Sequence, residues 1–83
     1  MKKWIVYMLR CSDQSLYTGI TTDFQERIKK HNTGKASKYT RSRLPAELVW
    51  SEKVESESEA KKREAQIKKL TKQEKEKIIR ANL

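Results

Sequence analysis

Apolar residues crowd the start of the chain and thin out after it. Trp4-Ile5-Val6-Tyr7-Met8-Leu9 sits within Lys3 to Cys11, an aromatic and β-branched segment that predicts a strand. Ser12-Asp13-Gln14-Ser15 is a turn cluster, and Leu16 to Ile20 predicts a second strand, antiparallel to the first across so short a loop. Gly19 inside it predicts a close backbone approach or a bulge. Thr22 followed by Gln25 has capping-box spacing and opens a helix near Asp23 that runs to about Asn32, with Gly34 ending it. Glu47 to Val54 predicts a third strand. Ser56 with Glu59 opens a helix through about Leu70, and Thr71 with Glu74 opens a last one to about Ala81. The order is ββαβαα, an α+β fold with helices packed on a small mixed or antiparallel sheet. No repeat or linker interrupts it, and the 83 residues predict a single domain over 1–83.

Helical spacing puts polar residues where packing belongs. Phe24, Arg27, Ile28 and His31 fall at i, i+3, i+4 and i+7, one face of a helix. Phe24 and Ile28 should face the sheet, with Arg27 and His31 on or beside that face. Taken singly, Arg27 reads as a snorkelling or ion-paired arginine, and His31 as a histidine favoured by the helix dipole. Ala60, Glu64 and Ile67 repeat the pattern in a later helix. A carboxylate in an apolar stripe is costly unless paired or bound to a metal. Two alternatives follow: a buried Glu64–Arg27 pair, or a ligand for a hard cation such as Mg²⁺, which takes few protein carboxylates. Tyr7 and Tyr17 sit on strands that the turn brings side by side, where ordinary aromatic packing is the plainer reading. As a set, two tyrosines, an arginine, a histidine and a carboxylate match the needs of metal-assisted phosphodiester cleavage.

Charge adds a partner. Lys and Arg number 20 against 11 Asp and Glu, a net +9. No acid lies between Glu26 and Glu47, an interval holding Arg27, Lys29, Lys30, Lys35, Lys38, Arg41 and Arg43, with Tyr39 and His31 among them. A one-sign patch containing an aromatic points to a polyanion, although a solvated basic loop would read the same. Asn32, Thr33, Ser37, Thr40 and Ser42 supply further phosphate-binding groups. The expected nucleic-acid contacts are Lys29, Lys30, Lys35, Lys38, Tyr39, Arg41 and Arg43. The longest apolar run, Trp4 to Leu9, is too short for a membrane span or a secretory leader. The single cysteine, Cys11, excludes an internal disulfide and a zinc module, and fits a reducing, cytoplasmic setting.

Ile5-Val6-Tyr7, then Leu16-Tyr17-Thr18-Gly19-Ile20, then Arg27 and His31, then Arg63-Glu64-Ala65 resemble, in order and spacing, the GIY-YIG nuclease superfamily over roughly residues 4–70. The stretches Leu16 to Asp23, His31-Asn32-Thr33-Gly34-Lys35, Lys38-Tyr39-Thr40-Arg41 and Arg63 to Leu70 are most similar to the small stand-alone bacterial proteins of that superfamily, mostly of unknown function. The resemblance implies a three-stranded antiparallel sheet flanked by helices. It also implies hydrolysis of a nucleic-acid phosphodiester, supported by one Mg²⁺ or Mn²⁺ ion. Glu64 would hold the ion and Arg27 would stabilise the pentacovalent phosphate. Tyr7 would take the proton of the attacking water or orient that water, with His31 able to relay the proton. Tyr17 would bond the phosphate or the water, and Gly19 would be structural. A tyrosine with pKa near 10 is a poor base at neutral pH and needs such neighbours.

The chain departs from the family pattern at Ile5, where the name-giving glycine stands, and at Thr18, which replaces an isoleucine. A late asparagine of several relatives has only Glu76 and Asn82 as counterparts here. Many relatives carry a separate DNA-recognition domain, for which 83 residues leave no room, so specificity would come from nucleic-acid shape or a protein partner. The leading expectation is a metal-dependent endonuclease acting on DNA, in repair or branch processing. The alternatives are a non-catalytic nucleic-acid-binding protein of the same fold and a protein-interaction module. Salt separates the last from the others, since nucleic-acid affinity falls with log salt by about 0.9 per phosphate neutralised.

Overall fold

The computed structural model describes residues 3–81. Its centre is β1 (Trp4–Arg10), flanked by β2 (Leu16–Thr21) and β3 (Glu47–Val54) in the antiparallel order β2-β1-β3. Val6 to Leu9 are all buried, as a strand covered on both faces requires. The Asp13 carboxylate closes the β1–β2 turn by accepting from the Ser15 backbone N–H at 3.0 Å, while Gln14 takes a left-handed φ of 71°. In the β1–β2 ladder Tyr7 stands opposite Gly19, and Leu9 opposite Tyr17.

Strand alternation sends the buried residues of β1 to two separate cores. Val6 and Met8 pack with Trp50, Ala60, Ile67 and Ile79, beneath α3 (Glu57–Lys68) and α4 (Lys72–Ala81). Tyr7 and Leu9 pack with Ala46, Tyr17, Phe24, Ile28 and Leu44, beneath α1 (Phe24–Asn32). A short helix, α2 (Lys38–Arg41), follows α1. Arg10 bolts α4 to β1 by a forked pair of bonds to the Glu76 carboxylate, at 2.7 and 2.6 Å.

The three strands, their antiparallel pairing and the three longer helices stand where the hydrophobic pattern puts them. Four details differ. The element order is ββααβαα, because α2 is too short to carry a helical period. The N-cap of α1 is Asp23, whose carboxylate accepts from the Glu26 N–H, rather than Thr22. α3 ends at Lys68, before Leu70. The irregularity expected at Gly19 lies instead between β1 and β3, where the register shifts between Met8 and Leu9. What approaches Gly19 is a side chain: a Cβ there would sit 2.5 Å from the Tyr7 Oη and 2.7 Å from its Cζ.

Candidate active site

Tyr7 reaches the centre of the site because β1 points it at the α1 face, and because Gly19 leaves room for its ring. Tyr17 lies beside it, with ring centroids 6.5 Å apart. α1 is anchored at its start by Asp23 and by the Thr21 hydroxyl, which accepts from the Asp23 N–H at 3.0 Å. Its end is closed by a bond from the Lys35 N–H to the Lys30 carbonyl at 2.9 Å, with Gly34 in the left-handed region at φ 76°. Asn32 accepts from the Ala46 N–H at 2.9 Å and so ties that end to the start of β3. Phe24 and Ile28 pack on the Tyr7 core, and the same helical face carries His31 inward to 1% exposure.

His31 Nε2 lies 2.9 Å from the Tyr7 Oη, and its Nδ1 lies 2.8 Å from the Thr40 Oγ1. Its ring also stands edge-on to Tyr17, at 5.0 Å between centroids. Burial, and then the Arg27 charge, lower the His31 pKa, so the ring is neutral at pH 7 and one nitrogen keeps a lone pair. Burial, and then Tyr17, push the Tyr7 phenol well above its usual range, with Glu64 adding to the rise and Arg27 opposing it. Tyr17, Arg27 and Glu64 are thus within electrostatic reach of Tyr7. At rest the proton stays on Tyr7, whose oxygen lies in hydrogen-bond contact with His31.

Glu64 is three-quarters buried, its side chain 24% exposed, and its ion pair is with Lys68 at 3.5 Å, one turn along α3. The expected alternative of a buried Glu64–Arg27 pair is not what forms; the carboxylate pairs instead with Lys68, one turn along the same helix. Among the described residues no three His, Cys, Asp or Glu side chains gather into a metal cage. A single part-buried carboxylate with a loosely held lysine fits a hard ion that fills its shell with water and phosphate oxygens. Glu76 is committed to Arg10, whose hydrogen bonds hold its carboxyl below the usual range. Asn82 lies outside the described residues.

The basic segment divides in two. Lys29, Lys30, Lys35, Lys38 and Arg41 are exposed. Arg43 is turned inward: its Nε donates to Asp13 at 3.0 Å, and its guanidinium lies 4.1 Å from the centroid of Tyr39. Tyr39 stacks on Tyr17 at 6.0 Å, so its ring is sandwiched although the residue is 37% exposed. Thr40, expected among the phosphate-binding hydroxyls, is fully buried against His31. Sequence reasoning missed that role. A histidine on a packed helical face needs partners for both ring nitrogens, and that need was the signal for a nearby hydroxyl.

Two hollows bear on access. One of about 230 Å³ opens beside Arg27, lined by Thr21, Asp23, Glu26 and Lys30 as well. A larger one of about 440 Å³ runs along α4, on the helix that packs over the opposite core. A polymer phosphodiester is reached at the surface, so the size of a hollow does not decide the site.

The family model described as the GIY-YIG catalytic domain matches residues 3–77, nearly the whole chain. The chain belongs to the GIY-YIG family. GIY-YIG domains generally act on nucleic acids and generally use divalent metals. The chain is 51% identical over 83 residues to a UPF0213 protein of Syntrophus aciditrophicus, covering 99% of this chain and 95% of that one. It is 49% identical over 79 residues to a UPF0213 protein of Staphylococcus haemolyticus, covering 95% and 96%. The solution NMR structure of a UPF0213 protein from Bacillus halodurans superposes with a TM-score of 0.63 at 44% identity, over 95% of this chain and 84% of that one. The relatives' names assign no activity.

Proposed function

We propose that this GIY-YIG domain is a divalent-metal-dependent endonuclease that hydrolyses phosphodiester bonds of DNA, with branched or damaged strands as its substrate class. The observation that carries the reading is the buried 2.9 Å contact between Tyr7 and a neutral His31, with Arg27 and Glu64 in electrostatic reach. Tyr7 gives its proton to His31 Nε2 and takes one from the attacking water. The resulting hydroxide adds to phosphorus, the P–O bond to the leaving oxygen breaks with its electron pair going to that oxygen, which takes a proton from water, and His31 returns its proton to solvent. Arg27 offsets the charge gathering on the phosphate. Tyr17, whose hydroxyl has no hydrogen-bond partner among the described residues, orients the water or a phosphate oxygen. Glu64 is the residue that would hold Mg²⁺ or Mn²⁺, which when bound supplies positive charge at the phosphate. Lys29, Lys30, Lys35, Lys38 and Arg41 carry the strand past the site, and a protein partner supplies sequence choice.

The test is nicking of supercoiled plasmid and cleavage of a branched DNA with Mg²⁺ or Mn²⁺, beside Glu64→Ala and Arg27→Ala. Wild type should cut, and both variants should lose at least about 100-fold while still folding and binding. Binding without cutting by wild type would leave a non-catalytic nucleic-acid-binding protein as the correct reading.

A further inference from the structure

We infer that Thr40 is a positioning residue of the proton relay: its hydroxyl sets the tautomer of His31, so that the bare nitrogen Nε2 faces the Tyr7 phenol. The chemical purpose of this role rests on the nuclease reading, whereas the tautomer itself follows from hydrogen bonds alone.

A neutral imidazole holds one ring proton, and the bond made by one nitrogen fixes the state of the other. Three contacts form a line. Tyr7 Oη to His31 Nε2 is 2.9 Å, His31 Nδ1 to Thr40 Oγ1 is 2.8 Å, and Thr40 Oγ1 to the Ser37 carbonyl is 3.4 Å. The line can be polarised in two directions, and each end decides between them.

At the Thr40 end, the Ser37 carbonyl can only accept. It already accepts from the Arg41 N–H at 3.0 Å, and at 3.4 Å it offers the Thr40 hydroxyl hydrogen a second, longer bond of the kind threonine in a helical turn commonly makes backward. With that hydrogen on the Ser37 carbonyl, what Thr40 offers His31 is a lone pair, and Nδ1 carries the proton. At the other end, Tyr7 is 1% exposed, and His31 is its hydrogen-bond partner among the described residues. Were Nε2 to carry the proton, the phenolic hydrogen would be left without an acceptor inside the core, which buried polar groups avoid. The two ends favour the same direction, with Tyr7 O–H donating to Nε2, Nδ1–H to Thr40, and Thr40 O–H to Ser37, and the Thr40 oxygen is what gives Nδ1–H its acceptor.

The local fold supports the assignment. α2 is capped by the Ser37 hydroxyl, which accepts from the Tyr39 N–H at 3.1 Å. Its four residues divide cleanly: Lys38, Tyr39 and Arg41 are exposed, and Thr40 is fully buried. Thr40 is the one fully buried residue of the helix, and it faces His31, while Tyr39 stacks on Tyr17.

His31 is the single histidine of the chain, so its ring nitrogens can be assigned directly by ¹⁵N-edited NMR. At pH 7.5 wild type should show the proton on Nδ1 and a bare Nε2. Thr40→Val, which keeps the shape and removes the hydroxyl, should move the proton to Nε2 or into a mixture. Thr40→Ser should restore the wild-type spectrum. The nicking rate should follow, falling about 10- to 100-fold in Thr40→Val, the loss that removing the outer partner of a ligating histidine brings, and recovering in Thr40→Ser. A proton on Nε2 in wild type overturns the inference, as does an unchanged tautomer in folded Thr40→Val. A shifted tautomer with an unchanged nicking rate also overturns it. If Thr40→Val fails to fold, the wild-type spectrum and Thr40→Ser still decide. If wild type cuts no DNA, the nuclease reading fails separately, and the spectrum continues to judge Thr40.

Discussion

Tyr7 is a core residue and a candidate base at once, and Gly19 is what lets it be both. The ring occupies the space that a side chain on the neighbouring strand would otherwise fill. In Gly19→Ala the new Cβ meets the Tyr7 Oη at 2.5 Å, and a ring packed among Leu9, Phe24 and His31 has little freedom to yield. The expected result is a loss of about 1–3 kcal/mol, the usual range for overpacking, together with a loss of nicking as the Tyr7–His31 contact opens. Thermal melts and the plasmid assay check this; a variant as stable and as active as wild type would refute it. At this scale much was legible in the sequence. Phe24, Arg27, Ile28 and His31 share a face by arithmetic alone, and the burial of His31 follows. The partner of Glu64 was not legible, because periodicity says which face a residue takes and not which lysine reaches it. Nor was the role of Thr40, since nothing in Lys38-Tyr39-Thr40-Arg41 marks one hydroxyl as inward.

Among the elements, the two long C-terminal helices were the most legible, because their start signals are chemical. Ser56 accepts from the Glu59 N–H, and Thr71 and Glu74 cap each other reciprocally, as a capping box requires. α2 escaped because four residues cannot show a period. How α4 is held was equally hidden: Arg10 and Glu76 are 66 residues apart and find each other only in the fold. Their forked geometry and partial burial make this pair more than a passing surface contact. Glu76→Gln keeps the shape and removes the charge. At pH 7 it should cost about 1 kcal/mol, or a fall of about 4–8 °C in Tm for a domain of this size. Because the folded pKa of Glu76 is depressed, its contribution is fully present above the unfolded value near 4.3 and fades as pH falls below it. The gap between wild type and Glu76→Gln should therefore close towards pH 3. A gap that ignores pH would show that shape, not charge, holds α4.

The whole molecule carries a net +9, and among the described residues no helix is long and apolar enough to cross a membrane. Its exposed cations on α1, α2 and the loop between them lie on the same stretch of chain as His31 and Thr40. If that surface carries DNA, affinity should fall linearly with log salt, by about 0.9 for each phosphate neutralised. Lys38→Ala with Arg41→Ala should flatten the slope by about 2 for a duplex. Arg43→Ala should change it far less, since Arg43 is engaged with Asp13 and Tyr39. Fluorescence anisotropy across a salt series measures all three. A slope that the double variant leaves intact would move the contact surface elsewhere.

The second core has a bearing on relatives of this chain. Tyr7 and His31 do not line a cavity added to a finished fold; they are the packing between β1 and α1. A lineage that stopped cutting DNA could not discard them freely, since either loss leaves a hole or an unpaired donor in a very small interior. Their presence in a related sequence therefore says little about whether that relative is still an enzyme. Glu64, whose ion pair among the described residues is with a lysine on its own helix, ties α3 to no other element by a salt bridge. It is free to drift once chemistry is no longer selected, so it is the position at which a lost activity would first become visible.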